Sequence, residues 1–219
     1  DSDLEMFFKE LRQISLGLKQ AELKKAGEAI IEGLTTNKDY VFQNERIFFD
    51  RTVQKIIEGL KPTDIYKNIF NSSKKGEFEW STIPEHPDQL VFQHKNQTSG
   101  PFAVIHIGED GVKKWRGKLE EWNLSEGERL EPKNWFVETS EDKNKVNMLM
   151  GSQKFNEGWD TTRPNVMIFI NIGVGNARKY VIQAIGRGVR IKPLVDNPDG
   201  RKRIKYLKDQ RPPVPEAKK

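Results

Sequence analysis

Apolar residues recur at intervals of three and four in the N-terminal part of the chain. This spacing places their side chains on one face of a helix. The two sets are Leu4, Phe7, Phe8, Leu11, Ile14 and Leu18, followed by Val53, Ile56, Ile57 and Leu60. The pattern predicts helices that each pack by one face, in a helical block that Pro62 closes.

The composition changes between residues 71 and 100, which are rich in Ser, Gly, Lys and Pro. Short runs of strand-forming residues such as LVFQH lie among these turn formers. This mixture predicts a small hairpin or a β-rich excursion from the main fold.

Strand and helix signals alternate from residue 102 onward. FAVIHIG predicts a strand, and the spacing of Val112, Trp115 and Leu119 predicts a helix after it. NWFVETS, VNMLMG and PNVMIFINIG predict three more strands, the last apolar enough to be buried on both faces of a parallel sheet. ARKYVIQAIGRGVR predicts a final helix that ends before Pro193. The alternation predicts an α/β fold whose ligands lie at the carboxyl ends of the strands.

Composition narrows the class of protein. The hydrophobic fraction is 35% and the aromatic fraction 10%, which indicates a globular centre with solvated flanks. No stretch approaches the roughly 20 apolar residues of a membrane span, so we expect no membrane association. The chain contains no cysteine, which excludes disulfides and thiolate zinc sites and fits a cytoplasmic location. We expect His86, His94 and His106 to be structural or surface residues, because their spacing is not that of metal ligands.

The net charge of +5 is concentrated at the C-terminus. Residues 192–219 contain nine Lys or Arg against four Asp or Glu, an excess equal to the charge of the whole chain. Such a tail predicts either contact with phosphates or a solvated linker.

The final predicted helix carries the clearest chemistry. Gln183, Arg187 and Arg190 fall within about 60° of one another on it, so an amide and two guanidinium groups share one face. Gly186 and Gly188 would each cost about 1 kcal/mol relative to Ala inside a helix. Glycines at such positions indicate the close approach of a backbone or a phosphate, or a frayed helix. The simpler alternative is a solvated basic stripe.

These residues fit the pattern QxxGRxxR, which resembles motif VI of superfamily two helicases. In that family two RecA-like lobes hold ATP between them, and the arginines of motif VI reach the terminal phosphates. The resemblance implies that Arg187 and Arg190 face the γ-phosphate, that Arg190 acts as the arginine finger, and that Gln183 orders the cleft.

A second motif lies about 25 residues upstream, directly after the predicted strand VNMLMG. GSQKFNEGWD resembles motif V, with Gly158 and Asp160 at its Gly-x-Asp ending and Ser152 at its small hydroxyl position. The resemblance implies that Asp160 binds the ribose or orders the motif VI arginines, and that Ser152 contacts the nucleic-acid backbone.

The sequence EGWD, followed further along by GRGVR, resembles the Res subunit of type III restriction enzymes and related DEAD/DEAH-like helicases. FAVIHIGED resembles motif IV. The family implies a second RecA-like lobe over residues 101–192, with a mostly parallel sheet flanked by helices. Around it we expect a helical extension or insertion over residues 1–70, a β-hairpin-like insertion over residues 71–100, and a basic tail or linker over residues 193–219.

The chain contains neither a GxxxxGK loop followed by Ser or Thr nor a DExH-like carboxylate pair. The resemblance therefore implies that ATP with Mg²⁺ is bound mainly by a first lobe of the same polypeptide, and that this chain alone does not hydrolyse ATP. No protein-bound metal is expected in the chain itself.

The sequence thus predicts the second motor lobe of a DNA-dependent ATPase, a helicase or translocase of the restriction type. The partners implied by the resemblance are double-stranded DNA, the first lobe and a methyltransferase modification subunit. Two alternatives stay open at this point. One is a non-catalytic nucleic-acid-binding or protein-interaction module with a degenerate motor fold, and the other is a lobe of an RNA helicase.

Overall fold

A computed structural model describes residues 2–36, 41–42, 45–46, 51–139, 141, 143–151, 166–169 and 181–185. The N-terminal part contains four helices and a two-stranded ribbon. In chain order these are α1 (Ser2–Ser15), α2 (Gln20–Thr36), β1 (Val41–Phe42), β2 (Glu45–Arg46), α3 (Arg51–Gly59) and α4 (Pro62–Asn68). The helices predicted for this part of the chain are confirmed. Among the described residues, no helix combines the length and the apolar character that crossing a membrane requires.

Strands predominate in the second part of the described chain. The elements are β3 (Phe78–Ile83), β4 (His86–His94), β5 (Ala103–His106), α5 (Glu109–Glu121), β6 (Ser125–Glu126), α6 (Trp135–Glu138) and β7 (Met148–Gly151). The hairpin predicted within residues 71–100, the strand FAVIHIG, the helix after it and the strand VNMLMG are all confirmed.

Among the described residues, the main sheet has five strands in the order β6-β3-β4-β5-β7. The pairs β3/β4 and β4/β5 are antiparallel, whereas β3/β6 and β5/β7 are parallel. The α/β class is therefore confirmed as a mixed sheet flanked by helices. The antiparallel pairs have a local cause: only Pro84 and Glu85 separate β3 from β4, and a crossover to a parallel strand needs a dozen or more residues.

One face of the sheet is covered by α1, α4 and α5. Phe8 of α1 is fully buried, with its ring centroid 4.6 Å from that of Phe92 and 5.6 Å from that of Trp115. Arg12 of α1 forms a two-pronged ion pair with Glu77, and its Nε lies 2.9 Å from Oε1. The predicted apolar face of α1 is thus the face that packs, except that Leu18 lies beyond the end of α1 and is 67% exposed. The second predicted set differs, because Ile56 and Leu60 are more than half exposed.

The opposite face packs against α6 and the segment around it. Ile83, Val91 and Val104 form a second buried cluster with Trp135 and Phe136. The prediction of a strand at NWFVETS was wrong, because this segment forms a single helical turn. A helix cap explains why this segment forms a turn of helix.

Asn134 supplies that cap, since its side-chain oxygen accepts a hydrogen bond from the Val137 amide at 3.1 Å. Pro62 also differs from its prediction. It stands in the first turn of α4 instead of closing the helical block, at a position where a missing backbone N–H costs nothing.

The apolar run PNVMIFINIG is described only at residues 166–169. These four residues have no regular secondary structure, and Val166 and Ile168 are 76% and 66% exposed. The prediction of a buried strand is therefore wrong for this part of the run. Apolar content alone does not bury a strand, which also needs a partner for its backbone, and no described strand pairs with it.

His94 is fully buried at the end of β4, where the segment that contains Gly76 covers its ring. Its Nδ1 accepts a hydrogen bond from the Asn96 amide at 2.9 Å, and its buried Nε2 has no hydrogen-bond partner among the described residues. A Cβ on Gly76 would stand 2.8 Å from His94 Cε1, so the backbone there lies directly on the ring. Gly76 is also bonded to α1, because Ser15 Oγ donates to its carbonyl at 2.8 Å.

Burial lowers the pKa of His94 below its usual value of 6.5, and the negative charge of Glu77 opposes this shift in part. The unfolded chain therefore takes up this proton at a higher pH than the folded protein does. The stability of the fold with a neutral His94 is therefore fully present above the pKa of the unfolded chain, and it is lost as the pH falls towards the pKa of the folded protein. We expect the free energy of unfolding to fall by up to about 1.4 kcal/mol per pH unit in this range.

The substitution His94→Asn tests this expectation, because its side-chain oxygen can accept the Asn96 hydrogen bond and does not titrate. Urea denaturation at about pH 7 and about pH 5 should show a smaller loss of stability in this variant than in the wild type. His86→Asn is the matched control, because it removes a histidine from the other end of β4 and leaves His94 in place. Equal losses in wild type and His94→Asn would contradict the assignment.

Candidate functional site

Five of the six residues predicted to form the ATP and nucleic-acid site lie outside the described residues. They are Ser152, Gly158, Asp160, Arg187 and Arg190. The sixth, Gln183, belongs to the helical residues 181–185 and has an exposed side chain. The structure therefore tests the helical state at Gln183 only, and the gathering of these residues at one edge stays a prediction.

The described chain does show where the motif V-like segment begins. β7 ends at Gly151, the residue before Ser152. It is parallel to β5, with Gly151 in register with His106. The carboxyl ends of both strands therefore meet at one edge of the sheet, which we call the β5–β7 edge. In open α/β sheets, ligands bind outside the carboxyl ends of the strands.

A histidine and an aspartate lie at the β5–β7 edge. His106 Nε2 is 2.7 Å from Asp88 Oδ2, and the two side chains are 12% and 33% exposed. Asp88 lies here because β4 is antiparallel to β5, so its first residues stand beside the last residues of β5. The Ile107 amide donates to the Asp88 carbonyl at 3.2 Å and extends this pairing.

Contacts between β4 and the segment of α6 also stabilise the β5–β7 edge. Gln89 is fully buried and bridges to α6: its Nε2 donates to Asn134 Oδ1 at 2.9 Å, and its Oε1 accepts from the Phe136 amide at 3.1 Å. The Phe136 ring stands edge-on to the His106 imidazole, with centroids 5.3 Å apart. His106 is thus held on one side by Asp88 and on another by Phe136.

Helix α5 begins at the same edge. Gly108 precedes it with φ 76°, a left-handed conformation that glycine adopts without strain, and no described side chain caps the first turn. Glu109 and Asp110 occupy that turn and complement the helix dipole. With Asp88 nearby, the described charge at this edge is mainly negative, so these residues do not by themselves form an anion site.

The described residues contain no group of three or more His, Asp or Glu side chains that could hold a metal ion. His86, His94 and His106 belong to one hairpin and the strand beside it, but each has different surroundings. His94 lies in the core, and His106 pairs with Asp88.

Sequence reasoning did not single out the His106–Asp88 pair. The two residues stand eighteen positions apart and meet only because β4 and β5 pair antiparallel. No local motif marks such a contact. The usable signal was the position of His106 at the end of a buried strand that leads into Gly108 and a helix.

Comparisons of the chain with protein-family models, with curated proteins and with solved structures give no significant match.

Proposed function

We propose that the chain is the second, RecA-like motor lobe of an ATP-dependent DNA helicase or translocase of the kind found in type III restriction enzymes. One observation carries the proposal: the order of two motifs after one strand. β7 leads directly into Ser152 and the Gly158-Trp159-Asp160 ending, and the pattern QxxGRxxR begins at Gln183. A chance match to either pattern alone is common, but their order and spacing after a strand are those of motifs V and VI.

The proposed chemistry is electrostatic stabilisation of phosphoryl transfer. Arg187 and Arg190 would reach the γ-phosphate of an ATP that the first lobe holds with Mg²⁺, and Arg190 would act as the arginine finger. Planar guanidinium groups suit this task because they stay charged and bind phosphate oxygens in pairs. Gln183, Gly158 and Asp160 would order the cleft and contact the nucleotide, and Ser152 would contact the nucleic-acid backbone.

The position of β7 supports this assignment. Its carboxyl end lies beside that of β5, so a chain that leaves β7 starts at an edge where α/β sheets bind ligands. The proposed fold is the family's mostly parallel sheet over residues 101–192. The proposed partners are the first lobe, double-stranded DNA and a modification subunit.

A second candidate is a protein-interaction or nucleic-acid-binding module without catalysis. The exposed apolar side chains favour it: Val166 and Ile168 are followed in the described chain by Ile182, 59% exposed, and Ile185, 40% exposed. An apolar patch formed by such side chains would mark a contact with another protein surface. In a motor, the first lobe would be such a partner, so this observation fits both candidates. An RNA helicase lobe is the third alternative.

Hydrolysis separates these candidates. The polypeptide that contains both lobes should hydrolyse ATP faster in the presence of its nucleic acid, and this chain alone should show no activity above background. Steady-state ATPase assays with duplex DNA and with RNA decide the matter. Stimulation by duplex DNA supports the proposal, stimulation by RNA alone supports the RNA helicase, and binding without hydrolysis by the two-lobe protein supports the non-catalytic module.

Nucleic-acid binding by the chain alone should be weak, independent of base sequence and steeply reduced by salt. The physical reason is counterion release, since contacts from a basic tail and the motif V-like segment would go to phosphates. Titration of a labelled duplex at low and at moderate salt measures the slope. Removal of residues 193–219 should make the slope shallower, and tight binding that ignores salt would contradict the expectation.

A further inference from the structure

We propose that His106, through its pair with Asp88, is a positioning residue that couples nucleic-acid binding to ATP hydrolysis. The inference rests on the proposed motor function. The pair fixes the last residue of β5, and that residue is the register partner of Gly151. The motif V-like segment is joined covalently to Gly151. A change at His106 therefore acts on the start of that segment.

The geometry supports a role in positioning. Along β5, Val104 and His106 point to the face that α6 covers, and on β7 the residue beside His106 is a glycine. His106 thus has no side-chain neighbour at this register position on β7. Its ring is located by Asp88 at 2.7 Å and by the Phe136 ring at 5.3 Å.

The His106–Asp88 pair also contributes less to the stability of the fold than the buried core does. Both side chains are partly exposed, and a polar pair in contact with solvent contributes little to the stability of a fold. Gln89, the register partner of His106 on β4, is buried and satisfies its polar atoms through α6 without using His106. Loss of the pair should therefore leave the fold largely intact while loosening the β5–β7 edge.

The test uses the two-lobe polypeptide and measures ATPase activity with and without duplex DNA. In His106→Ala, the DNA-stimulated kcat should fall about 10-fold, because small displacements of a functional segment cost one to two orders of magnitude in rate. The basal rate and the KM for ATP should change by less than about twofold, because Ser152 adjoins Gly151, whereas Gly158 and Asp160, the proposed nucleotide contacts of this segment, lie at least seven positions beyond Gly151. A residue with only a structural role would lower basal and stimulated rates together with the melting temperature.

The variant His106→Gln provides the rescue. Its amide nitrogen can occupy about the place of Nε2 and donate to Asp88, so its stimulated kcat should stay within about threefold of wild type. Asp88→Ala should reproduce the loss, and the double alanine variant should be no worse than either single one, as expected for residues that act as a unit. Should His106→Ala fail to fold, Asp88→Ala and His106→Gln carry the same comparison.

The matched control is Glu85→Ala, which removes an exposed ion pair of 3.7 Å with Arg129 and should leave both rates unchanged. Wild-type stimulation in a folded His106→Ala protein would overturn the inference alone. Absence of any stimulation in the wild-type two-lobe protein would overturn the proposed function, and the inference with it.

Discussion

Arg190→Ala in the two-lobe polypeptide is expected to lower the ATPase turnover by about 10³ or more, with a smaller effect on nucleotide affinity. An arginine finger stabilises the charge that develops during phosphoryl transfer, so its contribution is largest in the transition state. Arg187→Ala should show a loss of the same kind. Both belong to the pattern QxxGRxxR, whose spacing predicts that they share one helix face with Gln183.

Lysine at either position should fail to restore turnover, because a single ammonium group does not reproduce the planar fork of the guanidinium. Arg178→Ala is a suitable control, since it removes an arginine that precedes the pattern. Steady-state kinetics of each variant give kcat and KM separately. Near-normal turnover in both alanine variants would remove the basis of the motor assignment.

Helices were the part of the fold that the sequence predicted best. In α1, residues such as Phe8 and Leu11 recur at helical spacing and are buried, and the same holds for Val112 and Trp115 in α5. The pattern works here because each helix buries one face against a single sheet. It failed for Ile56, whose helix has the periodicity but leaves this side chain 61% exposed.

Strand order and short apolar runs were less predictable. NWFVETS and FAVIHIG look alike as runs of apolar and β-prone residues, yet the first forms α6 because Asn134 caps it. The placement of β6 and β7 in the sheet depends on pairing between distant segments, since β6 pairs with β3 and β7 pairs with β5. Hydrophobic periodicity reports which face of a strand is buried and carries no information on its neighbour.

The candidate site likewise contains some residues that the sequence predicts and others that only the structure identifies. Ser152, Asp160 and Arg190 were found because they belong to motifs with fixed spacing. His106 and Asp88 belong to no motif, and only the antiparallel register of β4 and β5 brings them together. Sequence patterns therefore pointed to residues with a proposed role in the site, and the structure was needed to identify the residues that hold the β5–β7 edge.

The contacts of Asn71 were likewise not predictable from the sequence. This residue lies at the end of the sheet opposite the β5–β7 edge, where three segments meet. Its side-chain amide donates to the carbonyls of Pro101 at 2.9 Å and Lys145 at 2.8 Å, and its Oδ1 accepts from Asn147 at 2.9 Å. Its carbonyl accepts from the Thr98 amide at 2.7 Å. One buried residue after α4 thus joins the segments that lead into β5 and β7.

Asn71→Ala is expected to lower the free energy of unfolding by about 3 kcal/mol or more. Two carbonyls would lose a buried donor, at about 1 to 3 kcal/mol for each unsatisfied group. The residue also has φ 52°, and alanine there adds about 1 to 2 kcal/mol of backbone strain. Urea denaturation measures the loss.

Two further variants separate the hydrogen bonds from the backbone. Asn71→Gly removes the same hydrogen bonds but tolerates the left-handed φ, so it should be about 1 kcal/mol less damaging than Asn71→Ala. Asn123 is the control, because it has φ 56° and no side-chain hydrogen bond to the described residues, so Asn123→Ala should cost only the backbone strain. Equal losses in Asn71→Ala and Asn123→Ala would show that the Asn71 network contributes nothing, since both would then report the conformation alone.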